Sequence, residues 1–108
     1  MLHECAFNSW FEHAYYTVQP TLFFDLAEAN GYRLLALFIE DVAGQRALRL
    51  YSRDTVVELM RNQQIAENTM LFAVLIKGAQ DRPFQIPMQG YYAGRLSESG
   101  ERAWMELR

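Results

Sequence analysis

HAYYTVQPTLFFDLAEANGYRLLALFIED, His13 to Asp41, passes from an aromatic loop through a helix into a long apolar strand. Pro20 suits a first helical turn, where its missing N–H costs nothing and its fixed φ is already helical. Gly31 after Asn30 suits the left-handed residue that ends a helix. Between them Leu22, Phe23, Leu26, Ala27 and Asn30 share one side at a period of 3.6, with Asp25 and Glu28 facing away. The spacing predicts a helix over Pro20–Asn30. From Tyr32 to Ile39, Leu34, Ala36 and Phe38 fall on one face of a strand and Leu35, Leu37 and Ile39 on the other. Neither face is polar, and such a strand is normally covered on both sides.

Working outward, Met1–Thr17 has aromatic residues without a clean period of 2 or 3.6, and it reads as a packed loop with at most one helical turn. After Asp41, a turn at Gly44 leads to a short second strand, Ala47–Tyr51, pairing back as a hairpin. Ser52 or Asp54 caps a helix that carries Val56, Val57 and Met60 and ends around Gln64. TMLFAVLIK, Thr69–Lys77, is a second strand with two apolar faces: Met70, Phe72, Val74 and Ile76 against Leu71, Ala73 and Leu75. A loop from Gln80 to Gly94 follows. Ser97 then caps a last helix whose apolar face is Ala103, Trp104 and Leu107.

These elements make one domain over 1–108: an aromatic loop over 1–19, a helix–strand–helix–strand core over 20–94, and a terminal helix over 95–108. The class is α/β, or α+β for so small a unit: a mostly antiparallel sheet of two or three strands packed by about three helices. That arrangement leaves apolar sheet faces and strand edges without enough helices to cover them. The sequence therefore implies a partner surface, supplied either by a second copy or by a complementary polypeptide.

Composition narrows the function classes. With 51% hydrophobic and 14% aromatic residues in 108, the chain can bury one core. A net charge of −3, spread along the chain, offers no basic patch to nucleic acid or an anionic membrane. Cys5 is the single cysteine, so no internal disulfide can form and a reducing compartment suits it. The first residues lack a signal peptide's basic and apolar segments, and no apolar run nears the ~20 residues that span a bilayer. The expectation is a cytoplasmic protein.

Three segments carry a resemblance. HECAFNSWFEHAYYTVQP is similar to the segment that follows the fifth strand in a group of class I S-adenosylmethionine-dependent methyltransferases. FFDLAEANGY resembles their final helix with its asparagine–glycine exit, and PFQIPMQGYY resembles the loop after their last strand. The likeness runs from Leu2 to Tyr92. It implies the C-terminal, acceptor-side part of a Rossmann-like fold, in which the last two strands form an antiparallel hairpin around an insertion. The family binds S-adenosylmethionine through a glycine-rich turn after its first strand. Gly31, Gly44, Gly78, Gly90, Gly94 and Gly100 contain no GxGxxG spacing, so no cofactor-binding residue is assigned. The resemblance thus implies methyltransferase ancestry with S-adenosylmethionine not bound by this chain alone, and a small-molecule or glycan-related acceptor. The alternative is a non-catalytic homo-oligomeric or interaction module.

His13 is the candidate catalytic residue, placed to accept the proton lost on methylation, and Tyr15, Tyr16, Gln19 and Gln89 are the candidate acceptor-binding residues. A bland role competes for each: loop hydrogen bonding for His13 and the two glutamines, packing for the tyrosines. His3, Glu4, Glu12 and His13 match no metal-ligand spacing, so no metal is expected. Cys5 reads as a small buried hydrophobe. Because both long strands are apolar on both faces, Leu37→Asp and Phe72→Asp are each expected to abolish folding, which a circular dichroism melt would show.

Overall fold

A computed structural model describes residues 1–8, 17–79, 81–90 and 92–107. Among these, four strands and three helices occur in the order β1 (Leu2–Asn8), α1 (Thr21–Asn30), β2 (Arg33–Asp41), β3 (Arg46–Arg49), α2 (Arg53–Arg61), β4 (Thr69–Ile76) and α3 (Glu98–Leu107). They form a small α+β fold around one antiparallel sheet of order β1-β4-β2-β3. The last strand in sequence is thus inserted between β1 and β2, which run in the same direction on either side of it.

The sheet has one strand more than the sequence suggested. Leu2–Asn8, expected as loop, pairs with β4 from Leu2↔Val74 to Asn8↔Thr69. Its inner positions are His3, Cys5 and Phe7 and its outer ones Leu2, Glu4 and Ala6, so neither set forms an apolar alternation and the strand is invisible to periodicity. Position in the sheet, rather than composition, makes it a strand. The short hairpin strand is present as Arg46–Arg49, entered by a turn in which the Gly44 N–H donates to Asp41 Oδ1 at 2.9 Å.

Helix α1 ends as its asparagine–glycine pair requires. Gly31 is left-handed at φ 62°, and the Tyr32 N–H donates to the Ala27 carbonyl at 2.9 Å, closing a Schellman turn. Ser52 caps α2 by accepting from the Thr55 N–H at 3.3 Å, and Ser97 caps α3 by accepting from the Gly100 N–H at 3.2 Å.

The core lies on one side of the sheet. Leu37 and Ile39 of β2, Leu71, Ala73 and Leu75 of β4, and Phe7 of β1 pack against Phe23 of α1 and Val56 of α2. Helix α3 sits further out, on α2. Ala36, Phe38, Met70, Phe72 and Val74 point the other way and belong to no part of that cluster. The double-sided covering expected for two doubly apolar strands is therefore absent among the described residues. Among the described residues one face is a core, and the other is a partly buried apolar surface.

Within α1 the expected sidedness holds only in part. Phe23 and Asn30 are buried, but Leu22 is exposed and Asp25, expected to face solvent, is buried. The reason is the neighbouring helix: α2 lies against the side of α1 that a lone amphipathic helix would leave wet.

The two substitutions that look equivalent in the sequence separate here. Leu37 is 1% exposed and Phe72 only partly buried on the free face. Leu37→Asp is expected to unfold the chain, since an unpaired buried charge costs several kcal/mol out of a total of about 5–15. Phe72→Asp is expected to leave a folded protein with a cooperative thermal transition. Gly31→Ala should cost about 1–2 kcal/mol in urea denaturation, because an L-residue is strained in the left-handed region.

Candidate functional site

A hollow of about 520 Å³ lies where the start of α1 meets α2 and α3. Its floor is apolar, with Val56, Met60, Ala103 and Trp104, and its rim carries Gln19, Ser52, Asp54 and Ser97. A second hollow of about 330 Å³ shares Gln19 and Met60 and reaches Phe7 and Asn8 at the end of β1. The two form one groove along α2, of a size and polarity that suit a small, partly apolar molecule.

Local sequence explains the rim. Pro20 opens α1 and leaves Gln19 just ahead of the first turn, at the groove's edge. Ser52 and Ser97 are there because both α2 and α3 begin at the groove, each with its capping serine. The Ser97 hydroxyl donates to Asp54 Oδ1 at 3.3 Å, joining the two helix starts. The Asp54 carboxylate sits in the first turn of α2, where the helix dipole favours it.

Under this groove lies a buried ion pair. Asp25, with 4% of its side chain exposed, accepts from Arg53 Nη2, and the Arg53 guanidinium also lies 5.7 Å from the Phe24 ring centroid. No signal in the sequence near Asp25 reveals this, because its partner is 28 residues away on α2. Arg53 is 19% exposed and keeps some water, whereas Asp25 depends on Arg53 for its compensation.

A second pin joins α1 to the following loop. Asn30 Nδ2 donates to the Leu26 carbonyl at 3.1 Å and to the Gln85 carbonyl at 2.9 Å, while Asn30 Oδ1 accepts from the Gln85 N–H at 2.7 Å. The asparagine side chain thus satisfies both backbone groups of Gln85, as a neighbouring strand would. Phe84, Ile86 and Met88 are left exposed on either side of these inward bonds. Gly78 allows the exit of β4 to pass this corner, since a Cβ there would meet the Gly31 carbonyl.

The sequence candidates fall out unequally. Gln19 lines both hollows. Gln89 is exposed, lines neither, and its carbonyl accepts from the Ala93 N–H at 3.1 Å within a turn. His13, Tyr15 and Tyr16 lie outside the described residues, as does Glu12. His3 and Glu4 are consecutive on β1 and point to opposite faces, so they cannot ligate one ion together. Among the described residues no cluster of three His, Cys, Asp or Glu side chains forms. Cys5 is half-buried with its thiol 3.8 Å from the Leu71 carbonyl, and burial, then the nearby Glu4 charge, push its pKa up. That makes it a poor nucleophile. Sequence reading missed Arg53, Asp54 and Ser97, which only the packing of α2 and α3 brings to the groove, and the pairing of Asp25 with Arg53.

The arrangement can bind and orient a small molecule, and Asp54 is the one proton-accepting side chain on the rim among the described residues. No described helix is long and apolar enough to cross a membrane. Comparison with protein-family models, with curated proteins and with solved structures finds no match for this chain.

Two outcomes test this site. Arg53→Ala strands a buried carboxylate and should cost about 3–5 kcal/mol, more than Asp25→Ala, in which Arg53 can still turn to water; paired urea melts would rank them. Alkylation of Cys5 by iodoacetamide should be slower in the folded chain than in urea at neutral pH. The folded rate should rise with a pKa above that of the unfolded thiol, because burial favours the protonated form.

Proposed function

We propose that this chain is the acceptor-side part of a class I S-adenosylmethionine-dependent methyltransferase fold, holding a small-molecule or glycan-related acceptor while a complementary polypeptide holds the methyl donor. The observation that carries this reading is the Asn30–Gln85 pin. It joins the asparagine–glycine helix exit to the PFQIPMQGYY loop, two of the three segments that resemble that family. The third segment is tied across its own length, where the Val18 N–H donates to the Ala6 carbonyl at 3.2 Å.

Topology supports the same reading. β2 and β4 are antiparallel neighbours separated by an insertion made of β3 and α2, as the resemblance implies for the last two strands. HECAFN needs one correction: it lies in a strand, so in this reading β1 takes the place of the fifth strand instead of following it.

The residues present do not fit the donor. None of the six glycines falls in a GxGxxG turn between a strand and a helix, so no step through S-adenosylmethionine is assigned to this chain. Its own contribution is to the acceptor. The groove floor takes an apolar or ring face, Gln19 offers an amide donor and acceptor at the edge, and the Asp25–Arg53 pair fixes the angle between α1 and α2 that shapes the groove. His13 is the base in this reading, with Tyr15 and Tyr16 shaping the acceptor pocket. Positioning of this kind supplies a large share of the rate of a direct displacement.

Methyl-labelled methionine provides the test. Met60 lines the groove, whereas Met105 lies exposed on α3. In a titration with a panel of mono- and disaccharides and small hydroxylated acceptors, at least one compound is expected to shift the Met60 methyl resonance and leave Met105 unmoved. S-adenosylmethionine is expected to shift neither. A panel that leaves Met60 unmoved, or S-adenosylmethionine moving it, overturns the assignment.

A further inference from the structure

The sheet face opposite the helices carries a pattern that the acceptor-side reading does not use. Register fixes which residues share it, because directly paired residues of an antiparallel ladder point the same way. Across its middle runs the row Glu4, Phe72, Phe38, Arg49, one residue from each of β1, β4, β2 and β3. The two phenylalanines are stacked, with centroids 5.0 Å apart and rings 11° from parallel. Leu2, Val74 and Ala36 form the next row on one side and Ala6, Met70, Glu40 and Ala47 the next on the other, while Ile76 and Arg33 close one end of the strip. The row is therefore acidic at one edge, aromatic in the middle and basic at the other edge.

We propose that this face binds a second copy of the chain, packed sheet to sheet about a two-fold axis that runs along the strands between β4 and β2. The proposal rests on the face and not on the acceptor-side reading. Such an axis exchanges β1 with β3 and β4 with β2. It sets Glu4 of each copy against Arg49 of the other, Phe72 against Phe38, Val74 against Ala36, Ala6 against Ala47 and Met70 against Glu40. An axis across the strands would instead set Glu4 on Glu4 and Arg49 on Arg49, so charge selects one geometry from two. Strands then remain aligned between the sheets, the common arrangement of packed sheets.

Both charged residues are exposed on outer strands, where they form a polar rim to an apolar centre. Arg49 is held in place by donating to the Leu35 carbonyl at 2.8 Å and lying 5.3 Å from the Tyr51 ring centroid, so little side-chain freedom is lost when a carboxylate arrives. Three strands over seven residues and the four residues of β3, about 4.8 Å apart with about 3.3 Å rise, bury about 800 Å² in total from two copies. That is the size of a weak, transient interface, so the dimer dissociates on dilution.

Charge reversal tests both the surface and its symmetry. Sedimentation velocity over a concentration series should show wild-type chain in a monomer–dimer equilibrium. Glu4→Arg and Arg49→Glu should each weaken the dimer about tenfold or more, because every contact becomes like-on-like. An equimolar mixture of the two variants should regain wild-type affinity. In the mixed dimer the arginine introduced at position 4 meets the glutamate introduced at position 49, and the unchanged Arg49 of one copy meets the unchanged Glu4 of the other. Circular dichroism checks that each variant is folded. A wild-type chain that stays monomeric up to its solubility limit, a dimer indifferent to both reversals, or a mixture that fails to recover would each overturn the proposal.

Discussion

The rest of the fold hangs on the backbone pairing of β4 along both of its edges. Thr69–Ile76 forms antiparallel ladders with β1 on one side and β2 on the other, so it is the strand through which the two parallel flanking strands are joined. An unpaired buried N–H or C=O is costly, and a central strand that satisfies both edges can be apolar throughout. Leu71, Ala73 and Leu75 are at most 1% exposed as a result. β1 and β2 acquire their orientation from this strand, and the helices acquire a floor.

The described helices are layered on one side: α1 and α2 cover the inner face, and α3 covers α2. Two polar pins hold the inner layer in register: Asp25 with Arg53 between α1 and α2, and Asn30 with Gln85 between α1 and the loop after β4. Buried polar groups of this kind specify an arrangement when each is satisfied, and no buried side-chain nitrogen or oxygen is left without a partner among the described residues. The groove beside Gln19 follows from where the pins set the helices.

How far the sequence could be read depended on whether a feature was local. The helix up to Asn30 and the strands Arg33–Asp41 and Thr69–Ile76 were legible, since their periodicity and their proline and glycine punctuation lie within each segment. β1 was not, because His3 and Cys5 on its inner face break the alternation and only β4 makes it a strand. Asp25 was misplaced for a related reason: helical sidedness assumes one covered face, and α2 covers a second. Of the groove's lining, only Gln19 was named as a site residue from the sequence, for its place beside Pro20. Arg53, Asp54 and Ser97 were not, since the groove exists only where three separate helix termini meet. The doubly apolar strands were identified correctly, but a strand's composition does not tell whether its second face is covered by its own chain or left as a surface.

The sheet has one built face and, among the described residues, one open face, which cysteine accessibility along β4 would reveal. In a Cys5→Ala background, single cysteines at positions 70 to 75 would be timed against a thiol reagent in dilute protein. Alternation is expected, with fast reaction at 70, 72 and 74 and near-complete protection at 71, 73 and 75. Uniform protection at all six positions would show that both faces are covered within one chain, and would contradict it.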